Sequence, residues 1–356
     1  MSAGGRARLG AIKGTIGSDG RPLGGRIVLA NPFSPLNIAG LRKAIGPGFT
    51  LHVADGTDQR ALDAAVSPDV VGLIAQERPS DWHRTPHLRW LQTLSAGVEH
   101  LLAAGKWPKG VTLTNARGVY ATAIGQYVLG AMLRVAERMD DRNALQATRR
   151  WPQDDTKYAG RSLRGKKLIL VGYGGAGREI ARLGAALGMR VRAVEARPER
   201  RQDDSFCLPG TGDANGSIPE SIVGLDRLQE TVAEADFVAI TVPLTSESRR
   251  LIGAPVLAAL PPRAWLINVS RGPVVDQAAL IEALREGRIG GAVLDVFEEE
   301  PLPADSPLWT ARGAILTPHI AGSQSGGAIQ ELLEENLARF TSGRPLINTV
   351  DPVRGY

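Results

Sequence analysis

Residues 168–177 read Leu-Ile-Leu-Val-Gly-Tyr-Gly-Gly-Ala-Gly, and few stretches of ten residues restrict a fold as tightly. The apolar run 168–171 suits a strand buried on both faces, and 178–187 continues with helical periodicity. Between them Gly172, Gly174 and Gly177 fit G-x-G-x-x-G, with Gly175 and Ala176 in the variable places. Alone the pattern is weak, because glycine-rich turns are common. Between a buried strand and a helix each glycine has a task. Gly172 permits the tight turn, Gly174 lets backbone approach a pyrophosphate, and Gly177 lets the helix pack on the strand. The helix N-terminus offers unpaired N–H groups and a positive dipole end to the phosphates. The next apolar run, 190–194, ends at Glu195, 18 residues after Gly177. A carboxylate there accepts ribose hydroxyls and repels a 2′-phosphate, which favours NAD. Arg197, Arg200 and Arg201 follow, and an arginine here offers the alternative of NADP.

A strand–turn–helix unit needs parallel partners, and the chain supplies them. Strand candidates fall at 27–30, 51–53, 70–75, 90–94 and 111–114, with a helix at 38–45. Their alternation with helices predicts an α/β domain with a parallel sheet. The stretch 121–145 is long, helical in pattern and free of proline, and links this domain to a second α/β series that runs to about residue 320. The amphipathic stretch 328–340 returns to the first domain and makes it discontinuous. The expected architecture is two Rossmann-like α/β domains with parallel sheets and a cleft between them. One spans 25–120 plus 322–356, and the other spans 121–321. Residues 1–24, rich in Gly and Arg, read as a flexible tail, and 203–224, rich in Gly, Pro and Ser, as a surface loop.

Composition narrows the class. A chain of 356 residues is long enough for two cores. No stretch of about 20 uninterrupted apolar residues predicts a membrane span, and the N-terminus lacks the apolar core of a secretory signal. The single cysteine, Cys207, rules out an intramolecular disulfide, so the cytoplasm is the expected compartment. The net charge is +5, but the arginines are interleaved with Asp and Glu rather than clustered, which argues against nucleic acid. No His/Cys/Asp cluster has metal-ligand spacing.

Three further segments carry a resemblance. They are Asn268-Val269-Ser270-Arg271-Gly272, Leu294-Asp295-Val296-Phe297-Glu298-Glu299-Glu300-Pro301 and Leu316-Thr317-Pro318-His319-Ile320-Ala321-Gly322. Shorter ones are Ser95-Ala96-Gly97-Val98-Glu99-His100 and Thr241-Val242-Pro243-Leu244-Thr245. With the glycine turn, and in this order over roughly 90–340, the chain resembles the D-isomer-specific 2-hydroxyacid dehydrogenases. The resemblance implies hydride transfer between a nicotinamide dinucleotide and a small 2-keto or 2-hydroxy acid. That chemistry needs a cation for the carboxylate and carbonyl, and a proton donor for the developing alkoxide. Arg271 suits the first, since its planar fork grips oxygen pairs. His319 suits the second, since imidazole exchanges a proton near neutral pH. Glu300, directly before the proline, is the acid the resemblance pairs with His319.

The same resemblance places the 25–120 domain on the substrate and gives Gly97 and Val98 the carboxylate. It sets Val242, Pro243, Val269, Ser270, Asp295, His319 and Gly322 along the dinucleotide. It also implies a homodimer through the 121–145 helix. Gln126 stands where many members have Glu, and Thr241 where many have His. Formate dehydrogenase shares the fold but lacks the pairing acid, and phosphite dehydrogenase takes another small anion. A non-catalytic, NAD-sensing co-repressor is the alternative of a different class. The resemblance covers glyoxylate/hydroxypyruvate reductases and phosphoglycerate dehydrogenases alike, and which acid is used is not legible, because the side-chain pocket is built by loops.

Overall fold

The computed structural model describes residues 24–30, 36–56, 58–323 and 326–356. Apart from Gly24, the tail expected at 1–24 lies outside the described residues. The chain forms two compact units. One takes the residues up to Ser95, His100–Asn115 and Gln330–Val350; the other takes Ala96–Glu99, Ala116–Ile329 and Asp351–Tyr356. Residues 96–99, 116–120, 322–329 and 351–356 therefore group with the second unit, not with the first as expected from the sequence.

The first unit holds a parallel sheet of five strands, β1 (Gly25–Ala30), β2 (Phe49–Val53), β3 (Val70–Ala75), β4 (Trp90–Gln92) and β5 (Thr112–Thr114), in the order β2-β1-β3-β4-β5. Every residue of β3 is buried, the pattern of a strand covered on both faces. The Gly326–Thr341 helix covers part of this sheet with Leu332, Leu333 and Leu337, all fully buried. Its Phe340 ring lies 4.9 Å from that of Trp90. Polar groups inside this core close on one another. Trp90 Nε1 donates to Thr114 Oγ1 (2.8 Å), Thr114 Oγ1 to Gln92 Oε1 (2.8 Å), and Asn336 Nδ2 to the same Gln92 oxygen (2.9 Å).

The second unit holds seven parallel strands. They are β6 (Lys167–Val171), β7 (Arg190–Val194), β8 (Ser221–Val223), β9 (Phe237–Ile240), β10 (Trp265–Asn268), β11 (Gly291–Leu294) and β12 (Ala314–Leu316). Their order is β12-β11-β10-β9-β6-β7-β8. The two-residue period of a strand sorts β6 cleanly. Ile169 and Val171 enter one apolar cluster with Val238, Ile240 and Leu266, while Leu168 and Leu170 enter another with Phe237 and Ile267. Both faces are covered, which is why β6 reads as an unbroken apolar run.

Two expectations are corrected. The stretch 121–145 is not one helix. Ala121–Ala136 and Met139–Ala147 are separate, with Arg138 between them in the left-handed region at φ 51°. Asp140 and Asp141 start the second helix, where negative charge meets the positive end of its dipole. They also pair with Arg134 and Arg138, both at 2.8 Å. Nor is 203–224 only a surface loop. Its last residues form edge strand β8, paired to β7, and Asp213 is 8% exposed. Among the described residues no helix is long and apolar enough to cross a membrane, and no His/Cys/Asp/Glu group could hold a metal ion.

Candidate active site

The glycine turn leaves β6 at Gly172, whose φ of 98° favours glycine. A Cβ there would lie 2.8 Å from Val242 N, and one on Gly177 would lie 2.4 Å from the Gly172 carbonyl oxygen. Both glycines are thus demanded by the protein's own packing. Gly174 is different: a Cβ on it would meet nothing within 4 Å, and its backbone is ordinary (φ −82°). No packing in the described structure explains the absence of a side chain at Gly174. A phosphate resting on its backbone would. Gly174 is also the N-cap of the Gly175–Ala186 helix and makes no side-chain cap bond, so the helix entrance suits an anion. The residues present therefore fit a dinucleotide pyrophosphate.

Glu195 follows β7 and folds back onto this turn. Its Oε2 accepts the Tyr173 N–H (2.7 Å), and Oε1 accepts the Ala196 N–H (3.0 Å). Of the nearby arginines, Arg200 pairs with Asp204 at 2.7 Å, and Arg201 donates to the Gly216 carbonyl at 3.3 Å. Arg197 lies over the Tyr356 ring, 5.6 Å from its centroid. Thr241, after β9, donates its hydroxyl to the Gly172 carbonyl (2.9 Å), and Val242 packs beside the turn.

Arg271 stands just beyond β10. Asn268, the last residue of that strand, accepts the Ser270 N–H (3.1 Å) and hydroxyl (2.9 Å) on Oδ1 and donates Nδ2 to the Arg271 carbonyl (3.2 Å). The neighbouring Gly272 is pressed on the 297–298 backbone, where a Cβ would lie 1.8 Å from the Phe297 carbonyl carbon. The Arg271 guanidinium donates Nη1 to the Ser270 carbonyl (2.8 Å) and Nε to Glu99 Oε1. A Cβ on Gly97 would lie 2.1 Å from Arg271 Nη2, so the guanidinium rests directly against the bare Gly97 backbone. Val98, beside it, is buried. Glu99 is a partner of Arg271 that sequence reasoning did not single out, although its segment did stand out.

The same Phe297 backbone reaches the second group. Its N–H donates to Glu300 Oε1 (2.9 Å), and His319 Nδ1 donates to Glu300 Oε2 (2.7 Å). Glu298 makes its bonds to Gln277, so of the three consecutive glutamates it is Glu300 that holds the imidazole. His319 is 48% exposed in its side chain, and among the described residues no group bonds its Nε2. Its φ of 54° is left-handed, a conformation that costs about 1 kcal/mol or more and persists where surroundings impose it. Asp295, 2% exposed, does the imposing. Its Oδ1 accepts the Thr317 hydroxyl (2.6 Å) and the Ile320 N–H (2.9 Å), and Oδ2 accepts the Ala321 N–H (2.9 Å). Its carbonyl takes the His319 N–H at 2.8 Å. Because Thr317 gives its proton to Asp295, the hydroxyl of Tyr127 donates to Thr317 (2.6 Å), and burial pushes that phenol's pKa up. Asp295 is thus a positioning residue for the 317–321 loop. Pro243 accepts the Ser248 hydroxyl (2.6 Å), Val269 is 9% exposed, and Gly322 packs on the Tyr120 ring.

Residues 129–321 match the family described as D-isomer specific 2-hydroxyacid dehydrogenase, NAD binding domain. This chain belongs to that family. Glyoxylate reductase of Thermofilum pendens is 34% identical over 267 residues, 72% of this chain and 73% of that protein. Glyoxylate/hydroxypyruvate reductase B of Yersinia pestis is 31% identical, over 88% of this chain and 94% of its own. A D-isomer specific 2-hydroxyacid dehydrogenase from Xanthobacter autotrophicus Py2, solved with NADPH and MES, superposes with a TM-score of 0.76 at 31% identity, covering 94% of this chain and all of that one. As a 2-hydroxyacid dehydrogenase, the chain is an NAD(P)-dependent oxidoreductase. Gln126 is exposed on the Ala121–Ala136 helix, and Thr241 binds the glycine turn through its hydroxyl.

Proposed function

We propose that this dehydrogenase interconverts a small 2-keto acid, of the glyoxylate or hydroxypyruvate kind, and its D-2-hydroxy acid. The observation that carries the reading is the His319–Glu300 pair, an imidazole with one nitrogen held by a carboxylate and the other unengaged among the described residues. Such a pair suits proton donation to an alkoxide and proton removal from an alcohol. Arg271 supplies the cation for the substrate carboxylate and carbonyl, joined by the N–H groups of Gly97 and Val98. The bound dinucleotide supplies or accepts the hydride. Gly174, Gly175, Ala176 and Gly177 hold its pyrophosphate and Glu195 its ribose, while Val242, Pro243, Val269, Ser270, Asp295 and Gly322 flank its nicotinamide end. Glu300 sets this reading apart from formate oxidation, which needs no proton relay.

Glu195 favours NAD, and Arg197 is the residue through which NADP would be accepted. The protein acts in the cytoplasm as a homodimer. Loss of NADH and NADPH absorbance with a panel of 2-keto acids tests the whole reading. Turnover that depends on keto acid and ranks its side chains is the expected result. Tight dinucleotide binding with no turnover on any keto acid would overturn it.

A further inference from the structure

Residues 201–218 are tied to the glycine turn by the turn's own variable residues. Tyr173 is the residue between Gly172 and Gly174, and Arg178 and Glu179 follow Gly177 directly. All three are buried, at 3%, 4% and 2% exposure, which is unusual for an arginine and a glutamate. Each reaches the segment, Glu179 while also paired with Arg182 on its own helix at 2.6 Å. The Tyr173 hydroxyl donates to Asp213 Oδ2 (2.6 Å), and Glu179 Oε2 accepts the Gly212 N–H (2.7 Å). The Arg178 guanidinium donates to the carbonyls of Tyr173 (2.9 Å), Arg201 (2.7 Å) and Asp213, lies 3.5 Å from Asp203 Oδ2, and covers the Tyr173 ring at 4.7 Å.

The segment is itself built around Asp213. That carboxylate also accepts the Ser217 N–H and hydroxyl on Oδ1 and the Ile218 N–H on Oδ2. At its other end the segment reaches the helix entrance. A Cβ on Gly118 would lie 1.8 Å from the Phe206 carbonyl oxygen, and one on Gly175 would lie 3.0 Å from Gly118 Cα and 4.0 Å from Ser205 Oγ. Three strips of backbone are therefore stacked at the entrance, at 118, 175 and 205–206.

Tyr173 is the node of this arrangement. Its N–H is held by Glu195, its carbonyl by Arg178 and its hydroxyl by Asp213. The acid placed for the ribose, the turn placed for the pyrophosphate and the 201–218 segment are thus joined through one residue. We propose that 201–218 is a latch built into the dinucleotide site, and that Tyr173 and Asp213 are positioning residues that set dinucleotide affinity. The proposal rests on the dinucleotide reading above. Loosening the latch frees the turn and the Glu195 carboxylate together, so binding weakens before chemistry does.

The test is Tyr173→Phe, which removes one oxygen and no packing volume, with Asp213→Asn as the second variant. Dinucleotide Kd is read by fluorescence titration with NADH and with NADPH, and segment mobility by amide hydrogen exchange. Faster exchange across 203–216 with a Kd raised about fivefold or more is expected, the usual size of a coupling between two sites. The kcat at saturating dinucleotide and the KM for keto acid should move far less. Faster exchange with an unchanged Kd would make the segment a decoration and overturn the proposal. Unchanged exchange in both variants would overturn it too, because the bonds would not be holding the segment. Failure of the unaltered protein to bind either dinucleotide would instead remove the functional reading on which the latch stands.

Discussion

The two sheets share a winding and differ in the sequence that follows the strand at the reversal. In the first unit the order β2-β1-β3 puts the reversal between β1 and β3; in the second β7-β6-β9 puts it between β6 and β9. Ligands of open α/β sheets bind at such points. After β1, residues 31–35 read Asn-Pro-Phe-Ser-Pro, and two of the five have no N–H to offer. After β6 the chain reads Gly-Tyr-Gly-Gly-Ala-Gly. Topology alone therefore does not select a dinucleotide. The turn does. The polar groups at the strand ends differ likewise. Gln92 and Thr114 end β4 and β5 and are satisfied inside the core with Asn336. Asn268 and Asp295, at and just after the ends of β10 and β11, instead hold loops that carry Arg271 and His319. One unit closes its polar groups on themselves, and the other spends them on presenting reactive side chains.

The sharpest way to break that contrast is His319→Ala. If the second unit carries the proton, kcat should fall by about 10²–10⁴-fold, with thermal stability little changed because the side chain is half exposed. An unchanged rate would remove His319 from the mechanism. Next in size is Gly174→Ala. The added methyl meets nothing in the protein, so melting temperature should hold, while dinucleotide affinity should drop by roughly 10- to 100-fold as charge-assisted phosphate bonds are lost. Gly177→Ala is the control, since its methyl strikes the Gly172 carbonyl and should lower stability and affinity together. Equal behaviour of the two variants would mean that Gly174 serves the fold and not a ligand. Asn336→Ala is the matching change in the first unit. It leaves Gln92 short of a buried partner, a cost of about 1–3 kcal/mol, read as a lower denaturation midpoint with dinucleotide Kd unmoved. A shift in Kd would show that the first unit's core does more than support its own sheet.

What the sequence made legible follows the range of the forces involved. The glycine turn, the apolar strands and the Arg271, Glu300 and His319 segments are local patterns, and each could be read in one window. The His319–Glu300 bond spans 19 residues, yet the residue types and a resemblance pointed to it. The latch was hidden because its information is split. Arg178 and Asp213 lie 35 residues apart, and neither a helical arginine nor an aspartate in a Gly-rich stretch announces a partner. Strand β8 is three residues long, half-buried and paired on one side only, so it lacks an apolar run. Glu99 pairs with Arg271 across 172 positions. The helix break at Arg138 did leave a trace, in the Asp140–Asp141 pair that begins a new first turn. Propensity alone did not reveal it, because nothing in 137–139 forbids a helix.

The smallest expected effect concerns acid, and it bears on a part of the second unit that closes its polar groups as the first unit does. Burial raises the Asp213 pKa, but the bonds from Tyr173, Ile218 and Ser217 outweigh it and hold the carboxyl below its ordinary value. Around it stand Arg178, which donates to the Asp213 carbonyl and whose charge lies beside Asp203, and Tyr173, whose phenol is pushed up by burial and by Asp213. A depressed carboxyl contributes stability above its unfolded pKa of about 3.9, and loses it as pH falls through the lower folded value. Asp213→Asn removes that contribution at every pH. The difference in denaturation midpoint between the unaltered protein and this variant should therefore be constant from neutrality down to about pH 5 and shrink below about pH 4. Exposed carboxylates such as Glu230, held below its ordinary value by the bond from Arg227, also lose their charge in acid, but they are common to both proteins and cancel in the difference. A gap that persists undiminished at pH 3 would mean that Asp213 acts through shape and not charge. The Tyr173 hydroxyl would then be anchored by geometry alone, and the latch would share with the first unit's core a closure that acid leaves intact.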